Sequence, residues 1–160
     1  MFDKMTFTKH KHRKNPMTMT IKVATFLTAV LLCGTQHSFA SGGPTNPLKV
    51  HGSVHIISTY LEAITLGSTD LNQFLFADDF EYRNSANNNK CNKKEYSKHL
   101  KANEGVKYDC TTTYDILDET RQACIAKATM QFSNFTRVDY VTLNRTDDGW
   151  KVSKVVTTYP

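Results

Sequence analysis

The 160-residue sequence predicts an α+β domain in which three helices and a short strand precede four long antiparallel strands. Apolar residues recur every three or four positions between residues 51 and 67, which is typical of an amphipathic helix. From Val106 onward apolar and polar residues alternate, as they do in half-buried strands. The last thirty residues contain two such strands on either side of Asp147-Asp148-Gly149. Because the helices come first, we expect the sheet to wrap around them.

Residues 1–40 have the pattern of a secretory signal peptide. A basic segment precedes an apolar run within residues 21–34, and small residues, Ser38 and Ala40, stand before the expected cleavage site. A membrane-spanning helix needs about 20 apolar residues, which this run lacks. We therefore expect an exported protein, periplasmic or secreted, with no membrane attachment after cleavage. Met17 and Met19 also begin ordinary signal peptides, so the true start among Met1, Met17 and Met19 stays open.

The charge of the chain is concentrated in that leader. Residues 1–40 hold six of the 20 Lys and Arg residues and one of the 15 Asp and Glu residues, which leaves 14 of each sign. A neutral domain lacks the basic surface that nucleic-acid binding requires, so we expect no nucleic-acid partner. Three cysteines remain after cleavage, and an oxidising compartment allows one disulfide with one free thiol. The sequence does not choose among the three pairings of Cys91, Cys110 and Cys124.

No motif indicates a cofactor or a metal. The chain has no glycine-rich phosphate loop, no dinucleotide-binding fingerprint and no nucleophile elbow. His51 and His55 have the spacing of metal ligands on a helix, but a third ligand is missing, so capping or solvated positions explain both more simply.

The elements of the mature chain follow in order. Residues 41–50 contain two glycines and two prolines and are predicted to be a linker onto a single domain of residues 51–160. The predicted elements of the first half are a helix from residues 51–53 to 67, a short helix at 70–76, a short strand at 77–83 and a helix at 92–104. The predicted long strands are residues 107–117, 123–132, 136–145 and 150–158.

The terminal hairpin suggests one inward-facing ion pair. A turn at residues 146–149 pairs Arg145 with Trp150, and a regular ladder then places Val141 opposite Lys154 and Asp139 opposite Val156. On that register Asp139 and Lys154 are diagonal neighbours on the face towards the helices, and burial favours their pairing. A bulge or a one-residue slip would instead turn both side chains outward.

Residues 51–160 resemble the nuclear transport factor 2-like superfamily, and within it the exported bacterial proteins of the lumazine-binding type. The resemblance depends on VHIISTYLEAITLGSTDLNQFLFADDFEY in the helical half and FTRVDYVTLNRTDDGWKVSKV at the end. It implies a cone-shaped fold, in which a strongly curved antiparallel β-sheet wraps around three N-terminal helices. It also implies a pocket at one end and frequent dimerisation through the sheet. Members include enzymes and non-catalytic ligand-binding or association modules, so the resemblance does not imply one function.

The sequence offers five candidate pocket residues: Tyr60, Tyr82, Asp139, Lys154 and Trp150. An acid opposite a tyrosine is the layout that a proton-transferring isomerase requires. The alternative is that both tyrosines are core residues whose hydroxyls reach the surface.

Three hypotheses on function follow. The first is an exported, non-catalytic domain that binds a small molecule or pairs with itself as a homodimer through the sheet. The second is a small-molecule isomerase, dehydratase or cyclase that uses Asp139 with a pocket tyrosine. The third is a partner-binding module that uses an outer sheet face containing Val155, Thr157 and Tyr159.

Overall fold

The computed structural model describes residues 44–160, so the predicted signal peptide lies outside the described residues. The α+β prediction and the order of its elements are confirmed, with one short strand in addition. The elements are α1 (Ser53–Thr65), α2 (Asn72–Leu75), β1 (Phe76–Asn84), β2 (Lys90–Asn92), α3 (Lys93–Ala102), β3 (Thr111–Glu119), β4 (Ala123–Gln131), β5 (Thr136–Thr146) and β6 (Gly149–Thr158).

The described strands form one six-stranded sheet in the order β2-β1-β6-β5-β4-β3. Strands β3 to β6 make the predicted antiparallel meander. Strand β1 lies parallel to β6, which the sequence did not predict because the two strands are far apart in the chain. Register shifts interrupt the β1–β6, β3–β4 and β5–β6 pairings. Such bulges bend strands and increase their twist, which helps the sheet to curve around the helices.

The core lies between α1 and the inner face of the sheet. Strand β4 alternates as predicted, with Cys124, Ala126, Ala128 and Met130 at most 1% exposed. Two alanines on this strand leave room for a helix to approach, and α1 contacts both β4 and β6. Burying the aliphatic side chains of α1 against this face removes them from water and stabilises the domain. Val54, expected on that face, is instead 48% exposed.

Helix α3 begins at a complete capping box. The Asn92 side chain accepts from the backbone N–H of Glu95 at 3.0 Å, and the Glu95 side chain accepts from the backbone N–H of Asn92 at 3.0 Å. The helix buries Tyr96 and Leu100, while its lysines remain at the surface. The capping box therefore fixes the start of α3 at Asn92.

The predicted linker is wrong at its C-terminal end, because residues 46–48 belong to the domain. The Asn46 amide donates to the Asp148 backbone carbonyl at 2.7 Å and to its carboxylate at 3.0 Å. Leu48 is 1% exposed and belongs to the core. The apolar side chain of Leu48 finds a buried site beside the β5–β6 turn, which outweighs the flexibility that the neighbouring prolines and glycines suggested.

Within residues 44–160, no helix is long and apolar enough to cross a membrane. The thiols of Cys91, Cys110 and Cys124 are separate, so none of the three pairings left open by the sequence is formed. Cys124 is fully buried in the core.

Candidate functional site

A cavity of about 750 Å³ opens between α3, the C-terminal end of α1 and the neighbouring ends of the sheet strands. Six of its lining side chains are those of phenylalanine or tyrosine: Tyr82, Tyr96, Tyr108, Phe132, Phe135 and Tyr159. Asn84, Asn89 and Asn103 add amides to the wall, and Arg137 also lines it. Small-molecule sites have volumes of roughly 300–1,000 Å³ and walls that are mostly apolar with a few polar groups. The size and lining of this cavity fit that description.

Arg137 forms a two-pronged ion pair with Asp139 behind the cavity wall. Its Nε donates to Asp139 Oδ1 at 3.0 Å, and its Nη2 donates to Oδ2 at 2.9 Å. The Asp139 side chain is 0% exposed, whereas 21% of the Arg137 side chain is exposed. A planar fork of this kind is the strongest pairing that a carboxylate and a guanidinium make. The pair compensates the cost of burying both charges.

Two hydroxyls complete the environment of the Asp139 carboxylate. The Tyr60 hydroxyl donates to Oδ2 at 2.6 Å, and the Thr157 hydroxyl donates to Oδ1 at 2.6 Å. Together with Arg137 they supply four donors, two to each oxygen, and an ionised carboxylate offers about four acceptor sites. The carboxylate is therefore saturated by the protein itself.

The protonation of this cluster follows from its burial. Burial, reinforced by the nearby Asp139 charge, raises the pKa of Tyr60 well above its ordinary value. Burial also raises the pKa values of Tyr82 and Tyr96. Burial lowers the pKa of Arg137, but the adjacent Asp139 charge outweighs it and holds that pKa above its ordinary value. At neutral pH the tyrosines therefore remain protonated donors and Arg137 remains charged.

The Tyr60 hydroxyl has one proton, which it donates to Asp139. In its contact with the Tyr96 hydroxyl, 3.5 Å away, Tyr96 must therefore be the donor. Tyr96 in turn stacks on Tyr82, with ring centroids 4.8 Å apart. The buried cluster is thus connected to the cavity wall through Tyr96 as well as through Arg137.

The alternation of β5 and its register with β6 bring these groups together. Arg137 and Asp139 are two residues apart and so lie on the same face of the strand. Asp139 is paired with Thr157 of β6, and the two side chains meet on the inner face. Tyr60 reaches the carboxylate from the middle of α1.

The predicted Asp139–Lys154 pair is wrong, and a β-bulge is the reason. Arg145 pairs with Trp150 and Leu143 with Val152 as expected, but Thr142 then pairs with Lys154, which leaves Ser153 as an extra residue. The extra residue reverses the facing of every later β6 side chain. Lys154 therefore points outward, 3.7 Å from Glu81, with half of its side chain exposed.

The same bulge overturns the predicted outer face of β6. Val155 and Thr157, expected outside, are both 0% exposed and face the helices. Val156, expected inside, is half-buried. The third hypothesis, a partner-binding face containing Val155 and Thr157, is therefore wrong as stated.

The remaining predicted pocket residues lie in different places. Tyr82 is half-buried and lines the cavity. Tyr60 does not line the cavity but lies behind its wall. Its hydroxyl donates directly to Asp139. Trp150 does not line this cavity; it is 3% exposed, and the guanidinium of Arg145 lies 5.5 Å from its ring centroid. The extent of the hairpin explains this, because Trp150 directly follows the turn whereas the cavity lies towards the other end of β6.

Sequence reasoning missed Arg137 and Thr157. Arg137 could have been found from the Arg-Val-Asp spacing, since residues two apart in a strand share a face. Thr157 could not have been found without the bulge. Among residues 44–160, no group of three or more His, Cys, Asp or Glu side chains is arranged to hold a metal ion.

The described domain has the fold of the nuclear transport factor 2-like proteins. A nuclear transport factor 2-like protein of unknown function from Silicibacter pomeroyi matches 67% of this chain and 92% of its own, with a TM-score of 0.56 at 10% identity. One from Cytophaga hutchinsonii matches 67% of this chain and 94% of its own, with a TM-score of 0.55 at 13% identity. A candidate ketosteroid isomerase from Shewanella frigidimarina matches 65% and 92%, with a TM-score of 0.53 at 15% identity.

At these identities the similarity establishes the fold alone. No protein-family model matches the chain, and no curated protein matches it in sequence.

Proposed function

We propose that this protein is an exported, non-catalytic domain that binds a small molecule in the cavity lined by Tyr82, Tyr96 and Arg137. The observation that carries the proposal is the separation of the cavity from the buried acid. The cavity has the volume and the aromatic lining of a ligand site. Asp139, the acid on which the isomerase, dehydratase or cyclase hypothesis depends, is fully buried behind it and saturated with donors. The lumazine-binding resemblance stays a prediction and assigns no ligand residue.

The isomerase hypothesis is the weaker alternative. A general base must have a lone pair within hydrogen-bond reach of the proton that it removes. Both Asp139 oxygens already accept two protein donors each. In the isomerase layout the tyrosine donates to the substrate, whereas Tyr60 donates to the acid itself. Catalysis by this pair would therefore require the Tyr60–Asp139 hydrogen bond to break and the buried carboxylate to become accessible before substrate could be engaged.

Binding can be tested with N-phenyl-1-naphthylamine, an uncharged aromatic probe that fluoresces in apolar surroundings. We expect saturable binding to the wild-type protein. Val106 lines the cavity at its rim and is 43% exposed, so Val106→Trp should narrow the cavity without disturbing the core. We expect this variant to bind the probe about tenfold more weakly, a loss of about 1.4 kcal/mol.

The matched control for that variant is Val54→Trp. Val54 is 48% exposed on α1 and does not line the cavity, so the added ring should leave binding unchanged. Equal affinity of the Val106→Trp and Val54→Trp proteins would place the probe elsewhere and count against the proposal.

We also propose self-association through the outer face of the sheet. Ile125 of β4 and Tyr140 of β5 are each 40% exposed. The ladder pairs Lys127 with Tyr140, so Tyr140 shares the outer face with Ile125, two residues from Lys127 on the same strand. Apolar side chains on an open sheet face support a homodimer. Sedimentation at high micromolar concentration should show a dimer in the wild type and a monomer in Tyr140→Lys; a wild-type monomer would contradict the proposal.

Export is the remaining part of the proposal, supported by the sequence of residues 1–40. Intact-mass measurement of the protein from a bacterial periplasm or medium should give a chain that begins at Ser41. A cytoplasmic protein that retains its leader would contradict export.

A further inference from the structure

Arg137 has donors that the protein does not use. A guanidinium carries five N–H groups, and Asp139 takes one from Nε and one from Nη2. The second Nη2 proton reaches the Thr157 hydroxyl only at 3.5 Å, the outer limit of a hydrogen bond. Within residues 44–160, neither proton of Nη1 has an acceptor. At least two charged donors are therefore available to a ligand.

These free donors are accessible from the cavity. In the described part of the chain, Asn72 Oδ1 is the one side-chain polar atom that is both fully buried and without a partner. Arg137 Nη1 also lacks a partner, so it is not fully buried. Arg137 lines the cavity, so the partly exposed side chain to which Nη1 belongs is where a bound molecule would meet it. A ligand that covers Nη1 without accepting from it would leave a buried charged donor unpaired, which is costly.

The charges around the cavity favour an uncharged acceptor over an anion. Among the described residues that line it, Arg137 carries a positive charge, Glu95 carries a negative one, and His99 adds an imidazole. The charge of Arg137 is already balanced by Asp139 behind it. An anionic ligand would add a further negative charge beside Glu95, while the charge of Arg137 is already paired with Asp139. A carbonyl oxygen can accept from Nη1 without that penalty.

The walls favour a ring as the body of the ligand. Tyr82 and Tyr96 form one stacked pair, and Phe132 and Phe135 form a second, with ring centroids 4.3 Å apart. Aromatic walls stabilise a planar ligand through stacking and edge contacts.

We propose that the cavity selects an uncharged ring compound carrying a carbonyl-type oxygen, which accepts a hydrogen bond from Nη1 of Arg137. This inference rests on the proposed ligand-binding function and adds the chemical class of the ligand. It also gives the Arg137–Asp139 pair a role, because the carboxylate orients the guanidinium so that its remaining edge faces the cavity.

Three near-isosteric probes test the inference by equilibrium dialysis: 2-acetylnaphthalene, 2-isopropylnaphthalene and 2-naphthoate. They share the ring and differ in carrying a neutral carbonyl, no acceptor or an anion. The double variant Arg137→Met/Asp139→Asn removes the donor without leaving a buried charge unpaired. We expect the ratio of the acetyl to the isopropyl affinity to fall about tenfold in this variant, because a charged donor to the carbonyl is lost. In the wild type we expect 2-naphthoate to bind more weakly than 2-acetylnaphthalene.

Each affinity is compared within one protein, so a general loosening of the cavity alters both probes and leaves their ratio unchanged. Arg137→Lys keeps a cation beside Asp139 but loses the planar fork, and it should also lower the ratio. Arg145→Met removes an arginine outside the cavity and should retain the wild-type ratio. An unchanged ratio in both Arg137 variants, or tighter binding of 2-naphthoate, would overturn the inference while leaving cavity binding intact. Failure of all three naphthalenes and of N-phenyl-1-naphthylamine to bind the wild type would instead overturn the proposed function.

Discussion

The guanidinium of Arg137 and the carboxylate of Asp139 are joined by two hydrogen bonds, of 3.0 and 2.9 Å, across the boundary between cavity and core. One partner is fully buried and the other is partly exposed to the cavity. Asp139 is therefore a structural counterion, and Arg137 is the member of the pair that a ligand can reach.

Replacing Asp139 alone should lower the free energy of unfolding more than replacing both Arg137 and Asp139. Asp139→Leu leaves Arg137 without its partner, and breaking a buried pair in this way costs about 3–5 kcal/mol. The double variant Arg137→Met/Asp139→Leu leaves no unpaired charge and should be clearly more stable than Asp139→Leu alone. Urea unfolding measures both free energies of unfolding. A double variant as unstable as the single one would mean that the pair is not coupled.

The Tyr60 hydroxyl should stabilise the folded protein through its hydrogen bond to the charged Asp139 carboxylate. Tyr60→Phe removes the 2.6 Å hydrogen bond to Asp139, and bonds to charged groups are worth about 1.5–3 kcal/mol. Tyr114→Phe is the control, since Tyr114 is 36% exposed on the edge strand β3 and should change stability by less than about 0.5 kcal/mol. Equal effects of the two substitutions on the unfolding free energy would argue against a strong Tyr60–Asp139 bond.

Stability should fall at alkaline pH because of the buried tyrosines. The pKa of Tyr60 is raised in the folded protein, so its contribution is fully present below the unfolded pKa of about 10. Above about pH 10 the unfolded chain has lost the proton that the folded chain retains, and each such tyrosine costs about 1.4 kcal/mol per pH unit.

Tyr60→Phe should reduce the fall of the unfolding free energy with pH by the amount that corresponds to about one proton. Chemical unfolding at a series of pH values between 8 and 11 measures the slope. An identical slope in Tyr60→Phe would show that Tyr60 titrates alike in both states.

The turn between β5 and β6 should tolerate no side chain at Gly149. Its φ is +95°, and an added Cβ would lie 2.8 Å from the Cα and the carbonyl oxygen of Lys49. Gly105 also has a positive φ, of +74°, but a Cβ there would meet nothing within 4 Å. Gly105→Ala therefore measures the backbone strain alone, about 1–2 kcal/mol.

Gly149→Ala should cost about 1–3 kcal/mol more than Gly105→Ala, since the overlap with Lys49 adds to the strain. Thermal or urea unfolding compares the two variants. Equal losses would show that residues 46–49 do not pack on the turn in solution.

The sequence predicted those features of the fold that depend on local pattern. The alternation of β4 and the turn that pairs Arg145 with Trp150 can be read from neighbouring residues, and both are confirmed. The parallel pairing of β1 with β6 joins distant segments and has no local signal. The docking of Leu48 depends on a cleft that exists only after the hairpin has folded.

The candidate site was predictable only up to the bulge at Ser153. No residue type near Ser153 demands a bulge, yet one extra residue reverses the facing of Lys154, Val155 and Thr157. The inward orientation expected for Asp139 agrees with its complete burial, because β5 carries no bulge between Arg145 and that position on its own strand. The predicted partner of Asp139, Lys154, was wrong because the bulge turns Lys154 outward. The same bulge turns Thr157 inward, which is why Thr157 was missed. The pocket role of Tyr82 stays a prediction.

The central claim is that the cavity binds a small molecule and releases it chemically unchanged. The most direct test is to incubate the purified protein with a metabolite mixture and to identify the retained compounds by mass and by chromatographic comparison with the input mixture. We predict that the wild type and Val54→Trp retain the same uncharged ring compound, chemically unaltered, and that Val106→Trp retains little of it. Equal retention by Val106→Trp, or recovery of the compound as an isomer or a dehydrated product, would contradict the claim.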